Sequence, residues 1–78
     1  MSKDKFIELF TKESRRWINL DCVLIFEQAT IIQKSHGTKV PVNAFILKGF
    51  DGSDEYEIAV ITEFEEKNFK KVQRYLLG

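Results

Sequence analysis

The chain is poor in the residues that carry covalent and metal chemistry. One cysteine, Cys22, and one histidine, His36, occur in 78 residues. A lone cysteine cannot close an internal disulfide, and one of each cannot build a Cys/His zinc cage. A reducing, cytoplasmic setting is the expectation. Proline occurs once, at Pro41, and glycine four times, too few for a linker or a low-complexity tract. Charge of one sign is also missing, since twelve Lys plus Arg balance twelve Asp plus Glu. That balance disfavours both a strongly basic nucleic-acid binder and an acidic solvating tail. No apolar run approaches the roughly 18 residues of a membrane span, so no membrane partner is expected. The opening Met1-Ser2-Lys3-Asp4-Lys5 has no long apolar region behind it, as a secretory signal would.

What is present suits a folded domain. Hydrophobic residues make up 44% and charged residues 31%, an ordinary globular balance. Residues 1–78 read as one small α+β domain: an N-terminal helix, an antiparallel sheet of three to four strands, and a C-terminal helix packed on the sheet. The first helix is expected over Lys3–Glu13, because Phe6, Ile7, Leu9 and Phe10 share one arc at 100° per residue. Ser2 would cap it, and Asp4 suits its first turn. From Trp17 the period becomes 2. Ile18, Leu20, Cys22, Leu24 and Phe26 alternate with polar and apolar neighbours and should face a core. Asn19 and Asp21 favour a turn, which predicts strands at Arg16–Leu20 and Val23–Lys34. Ser35-His36-Gly37-Thr38 and Asp51-Gly52-Ser53-Asp54 read as hairpin turns, with His36 or Gly37 taking a positive φ. They bound strands at Lys39–Phe50 and Glu55–Thr62, the latter with Tyr56, Ile58 and Val60 on one face. Pro41 lacks an N–H and belongs at a sheet edge or near a strand start. Thr62 and Glu65 have the spacing of a capping box. They would open a helix whose buried stripe is Phe64, Phe69, Val72, Tyr75 and Leu76. Glu63–Lys67 and Glu66–Lys70 are the i,i+4 ion pairs on it.

No familiar catalytic pattern emerges. Cys22 lies in phase with apolar neighbours and reads as a buried small hydrophobe; His36 reads as an exposed turn residue. Asp51, Asp54, Glu55 and Glu57 lack the spacing of a calcium loop and read as an acidic turn and strand face. The Gly49–Gly52 segment precedes a strand, not a helix, and gives no phosphate-binding loop. The expectation is therefore no enzyme, no cofactor and no metal.

Two binding readings remain. Lys67, Lys70, Lys71 and Arg74 recur at helical spacing, and Arg15 and Arg16 stand beside Trp17. Together they are the candidate contacts for nucleic acid. Many central-strand residues are apolar on both faces, which two short helices would cover poorly, and association is one way for so small a core to gain stability. The candidate protein interface is Val40, Val42, Phe45, Leu47 and Phe50. Trp17-Ile18-Asn19-Leu20-Asp21 followed by Ile25-Phe26-Glu27 resembles the strand-turn-strand opening of small bacterial β-rich modules, including LytTR-type DNA-binding domains and flagellar FlbD-like proteins. That likeness contains no functional motif and implies no site. The favoured expectation is a small non-enzymatic protein-binding module, a homodimer or a regulator or inhibitor of a larger partner, of the kind found among bacterial or phage accessory proteins. A nucleic-acid-binding module using the basic helix face is the alternative.

Overall fold

The computed structural model describes residues 5–10 and 12–78. Five strands precede one helix: β1 Phe6–Phe10, β2 Arg15–Asn19, β3 Ile25–Ser35, β4 Thr38–Asp51, β5 Asp54–Thr62 and α1 Glu66–Leu77. β1 and β2 form a two-stranded antiparallel sheet, and β3-β4-β5 form a second sheet with β4 in the middle.

The N-terminal helix expected over Lys3–Glu13 is not formed; the described part of that stretch begins with a strand. Its Ser2 cap and Asp4 lie outside the described residues. The run Phe6-Ile7-Glu8-Leu9-Phe10 is short enough to satisfy period 3.6 or period 2. Pairing decides for period 2. β1 lies against β2 with Ile7 opposite Ile18 and Glu8 opposite Trp17, so Ile7 and Ile18 are buried together. The single expected sheet of three to four strands is accordingly two sheets, of two and three strands.

The turn at Asn19–Asp21 is where the sequence places it. Leu20–Cys22 form one turn of 3₁₀ helix, and the Asn19 side chain accepts a hydrogen bond from the Asp21 N–H at 2.9 Å. That turn resets the alternation. Ile18, Leu20 and Val23 are buried, while Cys22 and Leu24, expected inside, are exposed. Both hairpins form. Ser35 pairs with Thr38 across His36 (φ 53°) and Gly37 (φ 80°), and Asp51 pairs with Asp54 across Gly52 (φ 67°) and Ser53. These are the two-residue turns that suit strand twist. A bulge at Leu47/Lys48 shifts the β4–β5 register. It turns Ala59 and Ile61 into the core and leaves Tyr56 exposed, so the expected stripe of Tyr56, Ile58 and Val60 is broken.

α1 begins later than the capping box suggests. The Glu65 carboxylate does accept from the Thr62 N–H (3.4 Å), but the Glu65 N–H donates back to the Thr62 carbonyl (3.0 Å), closing a turn ahead of the helix. Glu63 is thus outside α1, and its carboxylate accepts from Asn43 instead of meeting Lys67. The Glu66–Lys70 pair forms at 2.8 Å. Val72 is buried and Phe69 and Tyr75 are half-buried, but Phe64 and Leu76 are exposed. The core joins Ile7, Ile18, Leu20 and Val23 to Phe45, Leu47, Ala59, Ile61 and Val72. Phe69 packs on Phe45 with ring centres 4.8 Å apart, and Tyr75 on Phe26 at 5.7 Å. Asn68 and Lys71 donate to the carbonyls of Glu8 and Phe6, so one helix clamps both sheets. No helix among the described residues is long and apolar enough to cross a membrane.

Candidate protein-binding edge

A sheet presents unpaired N–H and C=O groups along each free flank, and those groups template the addition of another strand unless something blunts them. The three free flanks of the three-stranded sheet are treated differently. On β5, the register is broken by the bulge, Asp54, Glu55 and Glu57 line the strand, and the Thr62 N–H is taken by Glu65. On β4, the stretch that outruns β5 carries Pro41 and Asn43. Hydrogen-bonded and non-hydrogen-bonded pairs alternate from the closing pair Ser35–Thr38. Pro41, opposite Ile32, is therefore a non-bonded position whose missing N–H would point away from β3. The Asn43 carbonyl accepts from the Glu63 N–H at 2.9 Å.

β3 is protected less: its two charges, Glu27 and Lys34, stand near its ends and leave the stretch from Gln28 to Gln33 uncharged. It runs eleven residues, pairs with β4 without a register break, and contains no proline. The same alternation turns the backbone N–H and C=O of Phe26, Gln28, Thr30, Ile32 and Lys34 outward. Among the described residues none of these groups has a backbone partner on that side. Ile32 itself is 66% exposed. The helix contributes to the same flank. A groove of about 660 Å³ runs between β3 and the C-terminal half of α1, lined by Gln28, Phe45, Lys70, Gln73, Arg74, Leu76 and Leu77. Leu77 is 88% exposed and Leu76 47%. Strand addition uses outward backbone groups for affinity and neighbouring apolar side chains for contact, and this flank presents both.

The residues singled out in the sequence are distributed otherwise. Of the candidate interface, Phe45, Leu47 and Val42 are buried, Val40 is half-buried and Phe50 is exposed beside Asp51, Asp54 and Tyr56. Phe45 and Leu47 belong to the core beneath α1, and Phe45 also reaches the groove beside β3. The sequence missed β3 because edge or centre is a property of the sheet. Its signal was the run Ala29-Thr30-Ile31-Ile32-Gln33, free of charge, glycine and proline.

The basic residues do not form one patch. Lys70 is paired with Glu66, Lys71 donates to the Phe6 carbonyl, and Arg15 lies 4.7 Å over the Phe10 ring with Glu8 at 3.9 Å. Lys67 and Lys71 share a second groove, of about 650 Å³, with Phe6, Phe10 and Trp17, but Glu8, Glu65 and Glu66 line it too. Arg16 and Arg74 are exposed. The structure thus brings Trp17 to the Lys67 side of the helix and sends Lys70 and Arg74 to the β3 side. Three carboxylates in the Trp17 groove offset its cations.

Titratable groups show one linked pair. The Tyr75 hydroxyl donates to Asp21 at 2.5 Å and Lys5 stands 3.4 Å from the same carboxylate. The hydrogen bond from Tyr75 first, and Lys5 beside it, hold the Asp21 carboxyl below its ordinary value, while that bond raises the Tyr75 phenol. Lys48 is held protonated by Glu27 above all, with Glu55 assisting. No group of His, Cys, Asp and Glu with metal-binding geometry occurs among the described residues.

The segment that resembles the opening of LytTR-type and FlbD-like modules does form strand, turn and strand. No protein-family model matches this chain, and no curated protein or solved structure is significantly similar to it.

Proposed function

We propose that this chain is a non-enzymatic protein-binding module that works by strand addition at the outer edge of β3. The observation that carries the reading is the contrast between flanks. β5 and the free part of β4 are blunted by bulge, charge, proline and side-chain bonds, whereas β3 is long, regular and apolar at Ile32. A row of outward backbone groups that water alone satisfies is a liability in a monomer and an asset in a complex. The mixed charge of the Trp17 groove gives the nucleic-acid alternative no comparable support, because phosphate binding needs an uncompensated cationic surface.

The test is site-specific photo-cross-linking in the cells that make the protein. A cross-linking residue at Ile32 should give protein adducts of defined mass, and one at Tyr56 on β5 should not. Absence of adducts from Ile32, or equal adducts from both positions, would sink the reading.

A further inference from the structure

We infer that the occupant of the β3 edge is β3 of a second copy, running antiparallel and centred on Thr30, so that two three-stranded sheets become one continuous sheet. The inference rests on the reading of β3 as a binding edge and adds the identity and register of the partner.

Symmetry and side-chain placement select this arrangement. The outward positions Phe26, Gln28, Thr30, Ile32 and Lys34 are evenly spaced about Thr30. A two-fold axis through Thr30 therefore pairs all of them at once: Thr30 with its own copy, Gln28 with Ile32, and Phe26 with Lys34. Any other antiparallel register leaves outward groups unpaired at both ends. A two-fold axis normal to the sheet is the usual isologous contact, and it keeps both copies of α1 on the same face. Even-numbered β3 residues share that face, since Phe26 touches Tyr75 and Gln28 lines the α1 groove. Ile32 of one copy then lies opposite Gln28 of the other, at the groove that holds Leu76 and Leu77. Such a contact would bring the exposed Ile32 of one copy toward the exposed Leu76 and Leu77 of the other.

Charge favours the antiparallel sense. From Gln28 to Phe50 there is no acidic residue, while Lys34, His36 and Lys39 sit at the β3–β4 tip. The other end of the sheet carries Glu27, Asp51, Asp54, Glu55 and Glu57 around Lys48. At both ends like charges stand directly opposite, Lys34 against Lys39 and Asp51 against Asp54, which is unfavourable within one sheet. Antiparallel pairing brings the basic tip of each copy toward the acidic end of the other. Parallel pairing stacks like on like.

Sedimentation equilibrium on the purified chain, with spin labels in a Cys22→Ser background, tests the proposal. The wild type should sediment at twice its 9.1 kDa mass at about 100 μM, a range that detects even weak self-association. Ile32→Lys, which guards the edge with a charge, and Thr30→Pro, which removes an outward N–H without breaking the β4 ladder, should each sediment as single chains with unchanged far-ultraviolet circular dichroism. If one variant misfolds, the other still decides. Lys34→Glu should raise the dissociation constant about two- to fivefold. A label at position 34 should see its mate at about 26 Å, eight residues along the paired strands. A wild type that stays single at this concentration, a dimer indifferent to both edge variants, or labels near 5 Å would overturn the inference. A single-chain wild type whose Ile32 still cross-links to a different protein would overturn this inference alone and leave the binding edge standing.

Discussion

At the level of single residues, two positions meet constraints that sequence does not display. Gly49 has an ordinary backbone and matters for space: a Cβ there would stand 2.9 Å from the ring of Tyr56, its cross-strand partner. Tyr56 is half exposed at 51% and free to swing outward. Gly49→Ala should therefore cost about 1 kcal/mol, the low end of overpacking, by urea unfolding, and most of that cost should vanish in a Tyr56→Ala background. Asp21 is the second case. Its carboxyl is depressed in the fold by the Tyr75 hydroxyl and Lys5, so its contribution is present above the unfolded value near 4. That contribution is lost as pH falls through the lower folded value. Tyr75 is shifted the other way; its share is present below about 10 and lost as pH rises through the folded value. Asp21→Asn should flatten the acid limb of the urea midpoint between about pH 5 and 2. An unchanged acid limb would show that this pair does not couple folding to protons.

At the level of elements, turns and helix ends decide what the periodicity alone left open. His36 is the sole non-glycine residue with positive φ among the described residues. Asparagine tolerates that region better than histidine, so His36→Asn should stabilise the β3–β4 hairpin by about 0.5 kcal/mol in thermal melts. A destabilised variant would show that the imidazole makes a contact of its own. In α1, Val72 is fully buried while Leu76 is half exposed. Val72→Ala should cost about 2 kcal/mol and Leu76→Ala under about 0.5 kcal/mol at concentrations low enough to keep chains apart. The same Leu76→Ala should weaken self-association, which separates a residue that holds the fold from one that meets a partner. The hairpins and the Asn19 turn were legible because each rests on local chemistry: a side-chain oxygen two residues from an N–H, or a glycine at a positive φ. The start of α1 was legible only in part. Thr62 and Glu65 interact as their spacing promises, but the β5 strand holds Thr62 extended and the helix waits until Glu66.

At the level of the whole molecule, the decisive feature is an imbalance. One helix covers one side of a three-stranded sheet, and the β3 flank of that sheet is guarded by charge only near its ends. A small domain with little core gains stability by covering such surface. If two copies join through β3, the melting temperature of the wild type should rise with protein concentration, because a dimer is stabilised by mass action. That of Ile32→Lys should not. Equal concentration dependence in both would place the association elsewhere on the surface.

The sequence by itself determined the strands from Arg15 onward to within a residue or two, both hairpins, the break at Asn19 and the presence of a C-terminal helix. These follow from period-2 alternation, turn chemistry and amphipathic spacing, which act over a few neighbouring residues. Tertiary structure alone decided three things. Phe6–Phe10 became a strand because Arg15–Asn19 was there to pair with it. Phe45 and Leu47 became core because α1 closed over that face of β4. β3 became an edge because β4 was flanked by β5 on its other side. Each depends on contacts between segments distant in the chain, and a five-residue apolar run or an alternating strand looks the same in sequence whichever neighbour it finally meets.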